Sequence, residues 1–454
     1  MVSAHRRRRA AARADGRVTL PRRALLRGAR TAALGACAMA LAGCRRDTFA
    51  ADPVPTVAAL AERYTRLALQ LAKHQPSLVE VWLGPPSWND GARVPVPALK
   101  AGTSVLLADV TRLADPRDGS NQAGARLTYL RGQTAALDAA AGRLLGERQT
   151  FADEAQRTLG HVAPARDAAA LEALRQRLSE ALPQGAGTLA DRHAAFRRAH
   201  AVPPQRVDAV FAAAVAWCRD AARELLPLPE GDTLTTRAAD DTGWAAFSRP
   251  AGPRASDLWV SHGGGADAAQ LLQLAAHEGT PGHHAQHVLA MADLVDARGW
   301  TERALTPAFG PHRLLAEGAA EAGADLLLPL ATRERVCGDV LLPASGLAAA
   351  LAPRLVQVER LATALGVEVG YIAQDYLDSS LPADAVTTRL RDEALVLDPA
   401  GMVAFIEKQR SKVLAYPVGR QLVQHVIDGA LAEQRWPRFR AITTTLTLSE
   451  SFGE

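Results

Sequence analysis

A mainly α-helical architecture, one large multi-helix domain with a small edge β element, is expected from three features of the sequence. Long Ala/Leu/Arg-rich stretches place apolar residues three and four apart, the spacing that lines one face of a helix. Pro and Gly punctuate them at intervals that suit helix ends. Strand signals are few. The first helical stretch is VAALAERYTRLALQLAKH at 57–74. Others are expected at about 96–114, 125–159, 167–182, 188–200, 204–226, 266–296, 312–331, 346–378, 383–395, 399–412 and 417–434. The best strand is Asp257-Leu258-Trp259-Val260-Ser261, a β-prone run between a Pro/Gly/Arg loop and Gly263-Gly264-Gly265. As an edge strand it would offer backbone pairing to an extended peptide; the alternative is an isolated extended segment packed on helices. No fixed-period repeat or long low-complexity linker divides residues 56–454, so one domain is expected there.

Charge is distributed unevenly. Residues 1–43 hold ten Arg against Asp15 alone, a net of +9, while the whole chain carries +4, leaving −5 for the remainder. Such a balance gives no basis for a nucleic-acid partner. The basic stretch through Arg30 is followed by TAALGACAMALAG, thirteen small and apolar residues, too few to span a bilayer as a helix. Residues 1–43 therefore read as a removable signal peptide. Leu41-Ala42-Gly43-Cys44 resembles the lipobox of bacterial lipoproteins, which are cut before the Cys and lipidated on its thiol. Arg22-Arg23-Ala24-Leu25-Leu26-Arg27 is similar to a twin-arginine export signal, with Leu25 and Pro21 departing from the usual residues. On this reading residues 44–55 are a tether, and the chain is exported and held at the bacterial cell membrane through Cys44.

Cys218 and Cys337 remain for the folded domain, as a single disulfide or as two buried thiols. With no CxxC pair, a thiolate metal site is excluded.

The chemistry concentrates in HEGTPGHH, residues 277–284, which holds three of the chain's 12 histidines. A hydrolytic metal centre needs imidazoles or carboxylates on the metal, an open position for water, and a carboxylate to take the water's proton. His277 and His283 are six residues apart; on a straight helix this means about 9 Å of rise and roughly 600° of turn, so the rings diverge. His277 and His284 share a face but stand about 10.5 Å apart along the axis. Pro281-Gly282 supplies the break, since proline removes an amide donor and glycine admits unusual dihedrals. Looping out two residues would restore an i,i+4-like relation between His277 and His283. His283 and His287 form a competing pair at regular i,i+4 spacing, without a carboxylate directly after the first His. Glu278 directly follows His277. A further ligand from a separate helix is offered by LLAEGAAEAGADLLLPL at 314–330, where Glu317 and Glu321 stand four apart on an otherwise apolar helix. Carboxylates on such a background call for a compensating cation. Glu317 would be the ligand and Glu321 would orient a histidine.

HExxPGHH followed by an EG-containing helix resembles a bacterial family of unknown function, rich in lipoproteins and related in site design to zinc peptidases with a His-His-Glu, gluzincin-like metal set. The matched residues are His277, Glu278, Pro281, Gly282 and His283. The family's EGWALYAE-like segment corresponds to Glu317-Gly318-Ala319-Ala320-Glu321, without the aromatic residues. Its C-terminal Tyr/Pro/Gly segment is similar to Ala415-Tyr416-Pro417-Val418-Gly419-Arg420, so the resemblance spans about 250–425. It implies a zincin-like metallopeptidase domain binding one Zn2+ per chain through His277, His283 and Glu317, with Glu278 as general base. His284 and Tyr416 are then candidates for stabilising the developing oxyanion.

The resulting expectation is a membrane-anchored zinc hydrolase acting on peptide or amide bonds. Two alternatives stand beside it: a non-catalytic lipoprotein that binds a ligand or partner, and a metal-dependent lyase or dehydratase.

Overall fold

The computed structural model describes residues 55–113, 122–240, 245–379 and 381–445. The signal peptide expected at 1–43, Cys44 and the tether before Pro55 lie outside the described residues.

Helices form where the apolar spacing places them, and polar side chains fix their starts. Thr56 opens α1 (Val57–Ala72) by accepting from the Ala59 amide. α1, α2 (Val96–Leu113) and α3 (Gln122–Leu144) pack around Tyr64, Leu106 and Leu130. The buried Asp138 of α3 ties down α2, accepting from Lys100 Nζ at 2.6 Å and from the Thr103 and Ser104 hydroxyls at 2.8 Å each. The single stretch expected at 125–159 divides. Gly146 takes a left-handed conformation (φ +86°) and Thr150 caps a new helix, α4 (Phe151–Leu159).

α5 (Ala168–Ala181), α6 (Leu189–His200) and α7 (Val207–Ala222) follow, α6 opening on a Thr188/Asp191 capping box. The chain then builds β2 (Thr233–Ala239), β3 (Ala246–Gly252) and β4 (Ala255–Ser261), in the spatial order β2-β4-β3. The strand expected at an edge is thus central. β4 runs parallel to β2 and antiparallel to β3, so no extended peptide can pair with it. The physical reason is burial: Ser256, Leu258 and Val260 alternate into the core, making this the strand that both neighbours cover. A second, two-stranded antiparallel ribbon joins β1 (Val79–Trp82) to β5 (Leu305–Pro307).

α8 (Ala268–Glu278) and α9 (His283–Ala290) replace the one helix expected at 266–296, and a π-helical segment, Met291–Asp296, continues α9. α10 (Gly310–Leu327) is buried nearly all round, which accounts for its Ala/Gly/Leu composition. The remaining helices are α11 (Leu330–Val336), α12 (Leu342–Ser345), α13 (Ala352–Leu365), α14 (Glu368–Ser379), α15 (Ala383–Asp392), α16 (Pro399–Gln409), α17 (Ala415–Asp428) and α18 (Arg435–Thr445). α18 was not expected, and Gly366 splits the stretch expected at 346–378. α10 and α17 cross in backbone contact, for a Cβ at Gly318 would overlap Gly419 and one at Gly419 would overlap the Leu314 carbonyl. α8 packs in a core with α5, α7 and α13, whereas α9, α10 and α17 share another with α18. The histidine segment joins the two.

Cys218 and Cys337 are free, buried thiols, both pushed up to about 12 by burial. Among the described residues no helix is long and apolar enough to cross a membrane.

Candidate metal centre

α8 starts at Asp267, which accepts from the Gln270 amide and pairs with Arg197 at 2.9 Å, and it ends on His277-Glu278. Its last turn closes with the Gly279 amide donating to Ala275 O. The chain then doubles back. The Gly282 amide donates to Ala276 O at 3.0 Å, and α9 begins at the next residue. A side chain at Gly279 or Gly282 would overlap the Ala275 or His277 carbonyl, so glycine is required here for close approach rather than for an unusual φ. The Thr280–Pro281 peptide is cis. This break brings the His277 and His283 rings to 4.8 Å between centroids, nearly perpendicular.

Glu317 on α10 completes the group. Its Oε2 lies 3.2 Å from His277 Nε2 and 3.3 Å from His283 Nε2, and the three donor atoms all lie within 4.8 Å of one another. Zinc bonds of about 2.1 Å in a tetrahedron place donors roughly 3.4 Å apart, which both His–Glu separations meet. Each imidazole is also held from behind. His277 Nδ1 faces Glu321 Oε1 at 3.1 Å. His283 Nδ1 faces Gln286 Oε1 at 3.2 Å, and the Gln286 amide nitrogen donates to Ala316 O at 2.7 Å, so its oxygen is the group turned to the ring. Placing N–H on both Nδ1 atoms leaves both Nε2 lone pairs directed at one point. Two imidazoles and a carboxylate so arranged fit a divalent cation.

The charges around this point are strong. Glu317 is 1% exposed. Burial would raise its carboxyl, but the Arg313 guanidinium and the two histidines outweigh burial and hold it well below the usual range. Arg313, one turn earlier, sets Nη2 2.6 Å from Glu317 Oε1 as an ion pair without hydrogen-bond alignment, and Nη1 3.2 Å from Glu80 Oε2 of β1. Burial depresses His277, yet Glu317 and Glu321 overcome it and raise the ring well above its ordinary value. Glu321 is in turn held below its ordinary value against the effect of burial, chiefly by His277, and accepts from Gln273 Nε2 at 3.0 Å.

Of the residues expected at the site, His277, His283, Glu317, Glu278 and Glu321 come together. Glu278 is buried, its Oε1 4.0 Å from His277 Nε2, and it makes no hydrogen bond among the described residues. Tyr416 is half-buried at the start of α17; burial and then Glu317 raise its hydroxyl far above the ordinary value, so it stays a proton donor. His284 is otherwise committed. It is fully buried, with Nδ1 2.9 Å from Ser256 Oγ and Nε2 3.0 Å from Asp232 Oδ2, so both nitrogens serve the sheet rather than an oxyanion. His287 sets Nε2 2.7 Å from Gly252 O and is no ligand. Reading the sequence missed Arg313, Gln286 and Glu80. The first two carried a usable signal, since Arg313 stands one turn before Glu317 and Gln286 one turn after His283.

No protein-family model matches the chain, and no curated protein matches it. A crystal structure provisionally named as a lipoprotein, from Colwellia psychrerythraea, is similar at 13% identity and a TM-score of 0.46, over 77% of this chain and 64% of that one. The chain thus spans less than two thirds of that solved protein.

Proposed function

We propose that this protein is a zinc-dependent hydrolase of peptide or related amide bonds, with His277, His283 and Glu317 holding the metal and Glu278 as general base. The observation that carries the reading is the convergence of two Nε2 atoms and one buried carboxylate oxygen, beside a buried carboxylate that makes no hydrogen bond among the described residues. The resemblance of HExxPGHH to His-His-Glu zinc peptidases points the same way.

When bound, zinc would supply Lewis acidity, polarising the scissile carbonyl and acidifying a water. Glu278 takes the proton as that water's oxygen bonds to the carbonyl carbon, then hands it to the leaving nitrogen as the C–N bond breaks. Glu321 and Gln286 keep the imidazoles in the required tautomer. Tyr416 O–H donates to the carbonyl oxygen as negative charge builds there, the part His284 is too committed to play. Arg313 keeps Glu317 ionised. Export and anchoring through a lipidated Cys44 belong to the same reading and place the substrate outside the cytoplasm.

The test is elemental analysis of the purified protein together with Glu278→Gln. One zinc per chain is expected in both forms, with amide hydrolysis falling about 10²- to 10⁴-fold in the variant. Zinc-free wild type that stays zinc-free on metal addition sinks the metal assignment; zinc with undiminished turnover in Glu278→Gln sinks the base.

A further inference from the structure

Arg410, at the end of α16, has φ +50° and ψ −125°, a region that side chains other than glycine rarely adopt. Buried Glu154 of α4 holds it there. Glu154 Oε2 accepts from Arg410 Nε at 2.5 Å, and Oε1 accepts from the Ser411 amide at 3.3 Å and the Ser411 hydroxyl at 3.0 Å. Three hydrogen bonds to one carboxylate therefore fix a strained turn, and strain maintained in this way marks a segment whose position matters. The residues it delivers are Lys412 and, one turn on, Tyr416. The Gly318–Gly419 crossing sets this start of α17 against the part of α10 that carries Arg313 and Glu317.

Lys412 is half-buried and, among the described residues, has no hydrogen bond or ion pair. Its neighbour Arg313 is different, with both terminal nitrogens engaged by Glu80 and Glu317. Burial and the Arg313 charge depress the Lys412 ammonium to about 8, outweighing the Glu80 and Glu317 carboxylates, neither of which pairs with it directly.

We propose that Lys412 receives a substrate carboxylate beside the metal centre, so that the amide cleaved is the one next to a free carboxylate. This rests on the hydrolase reading and narrows it to short peptides or N-acyl amino acids. Water adds across the C–N bond, giving a new carboxylic acid and a free amine, and the Lys412-bound carboxylate departs unchanged with the amine. The turn at Arg410–Ser411 suits this task because the backbone that carries the ammonium is already held before substrate arrives.

Calorimetric binding to the full chain, with zinc content measured in the same samples, tests the assignment. The probes are acetyl-Ala-Ala, its C-terminal amide, and acetyl-Ala-Asp amide, each with Glu278→Gln protein to prevent turnover. At least one carboxylate probe should bind about tenfold or more tighter than the uncharged amide, as a charge-assisted contact implies. Tighter binding of acetyl-Ala-Ala assigns the carboxylate to the chain terminus; tighter binding of acetyl-Ala-Asp amide assigns it to a side chain. Lys412→Met in the same background should abolish that preference with zinc content unchanged. No preference, including no measurable binding of any probe, overturns the proposal, as does a preference that survives Lys412→Met. Preference without zinc would instead sink the metal assignment and leave the carboxylate subsite standing.

Discussion

Glu321 decides which nitrogen of His277 faces the metal position, although it donates nothing to the metal itself. Removing it as Glu321→Ala leaves the N–H of His277 without its acceptor and frees the ring to rotate. Zinc affinity should fall about 10- to 100-fold, measured by competition with a chromogenic chelator. Unchanged affinity would show that the neighbouring protein packing alone orients the ring. Glu278, His277, Pro281-Gly282, Glu317 and Glu321 were legible in the sequence because their relations are local, a few residues along one helix or across one break. Arg313–Glu80 was not. Those residues are 233 apart in the chain and meet only in the folded protein. Lys412 was hidden for the same reason, and His284 misled because adjacency to His283 says nothing about which way a side chain turns.

For the helices, the apolar period was enough to locate most of them, and their interruptions were harder to see. A single Gly at 146 or 366 reads as a tolerated weak residue until the structure shows a turn and a new helix start beyond it. β2 and β3 escaped notice because Thr/Ala/Arg and Pro/Gly composition resembles loop, and it is the buried β4 between them that makes a sheet of all three. The α10–α17 crossing was equally invisible. Its Gly318–Gly419 contact leaves no room for a methyl group, so Gly419→Ala should destabilise the fold by about 1–3 kcal/mol or more. Urea unfolding measures this, and a variant as stable as the wild type would mean that the two helices can separate without loss. Because α17 carries Tyr416, hydrolysis should decline with the same substitution.

For the molecule as a whole, the centre is a knot of buried charge that joins two hydrophobic cores through α8, α9 and α10. Zinc bound only to the folded state should stabilise it by about 2.7 kcal/mol at one hundred times the dissociation constant, raising Tm on the order of a few degrees. The effect depends on pH. In the metal-free protein His277 is raised above its unfolded value, so its ion pairs with Glu317 and Glu321 contribute fully below the ordinary histidine pKa and fade as pH rises through the raised value. Zinc must displace that proton. The gap in Tm between zinc-loaded and chelated protein should therefore widen from pH 6 to pH 8, as followed by thermal denaturation. A gap that narrows over that interval would contradict this proton–metal competition.

Connecting segments usually tolerate insertions and deletions, because slack in the chain can bulge into solvent. The four residues from Gly279 to Gly282 have no such slack: they are buried, and Gly282 lies against the carbonyl of the histidine it must bring within reach of its partner. Adding or removing one residue would turn α9 by roughly 100° and carry the His283 ring off the shared point. Sequence drift in this protein can therefore change side chains around the break more readily than it can change the distance between the two histidines.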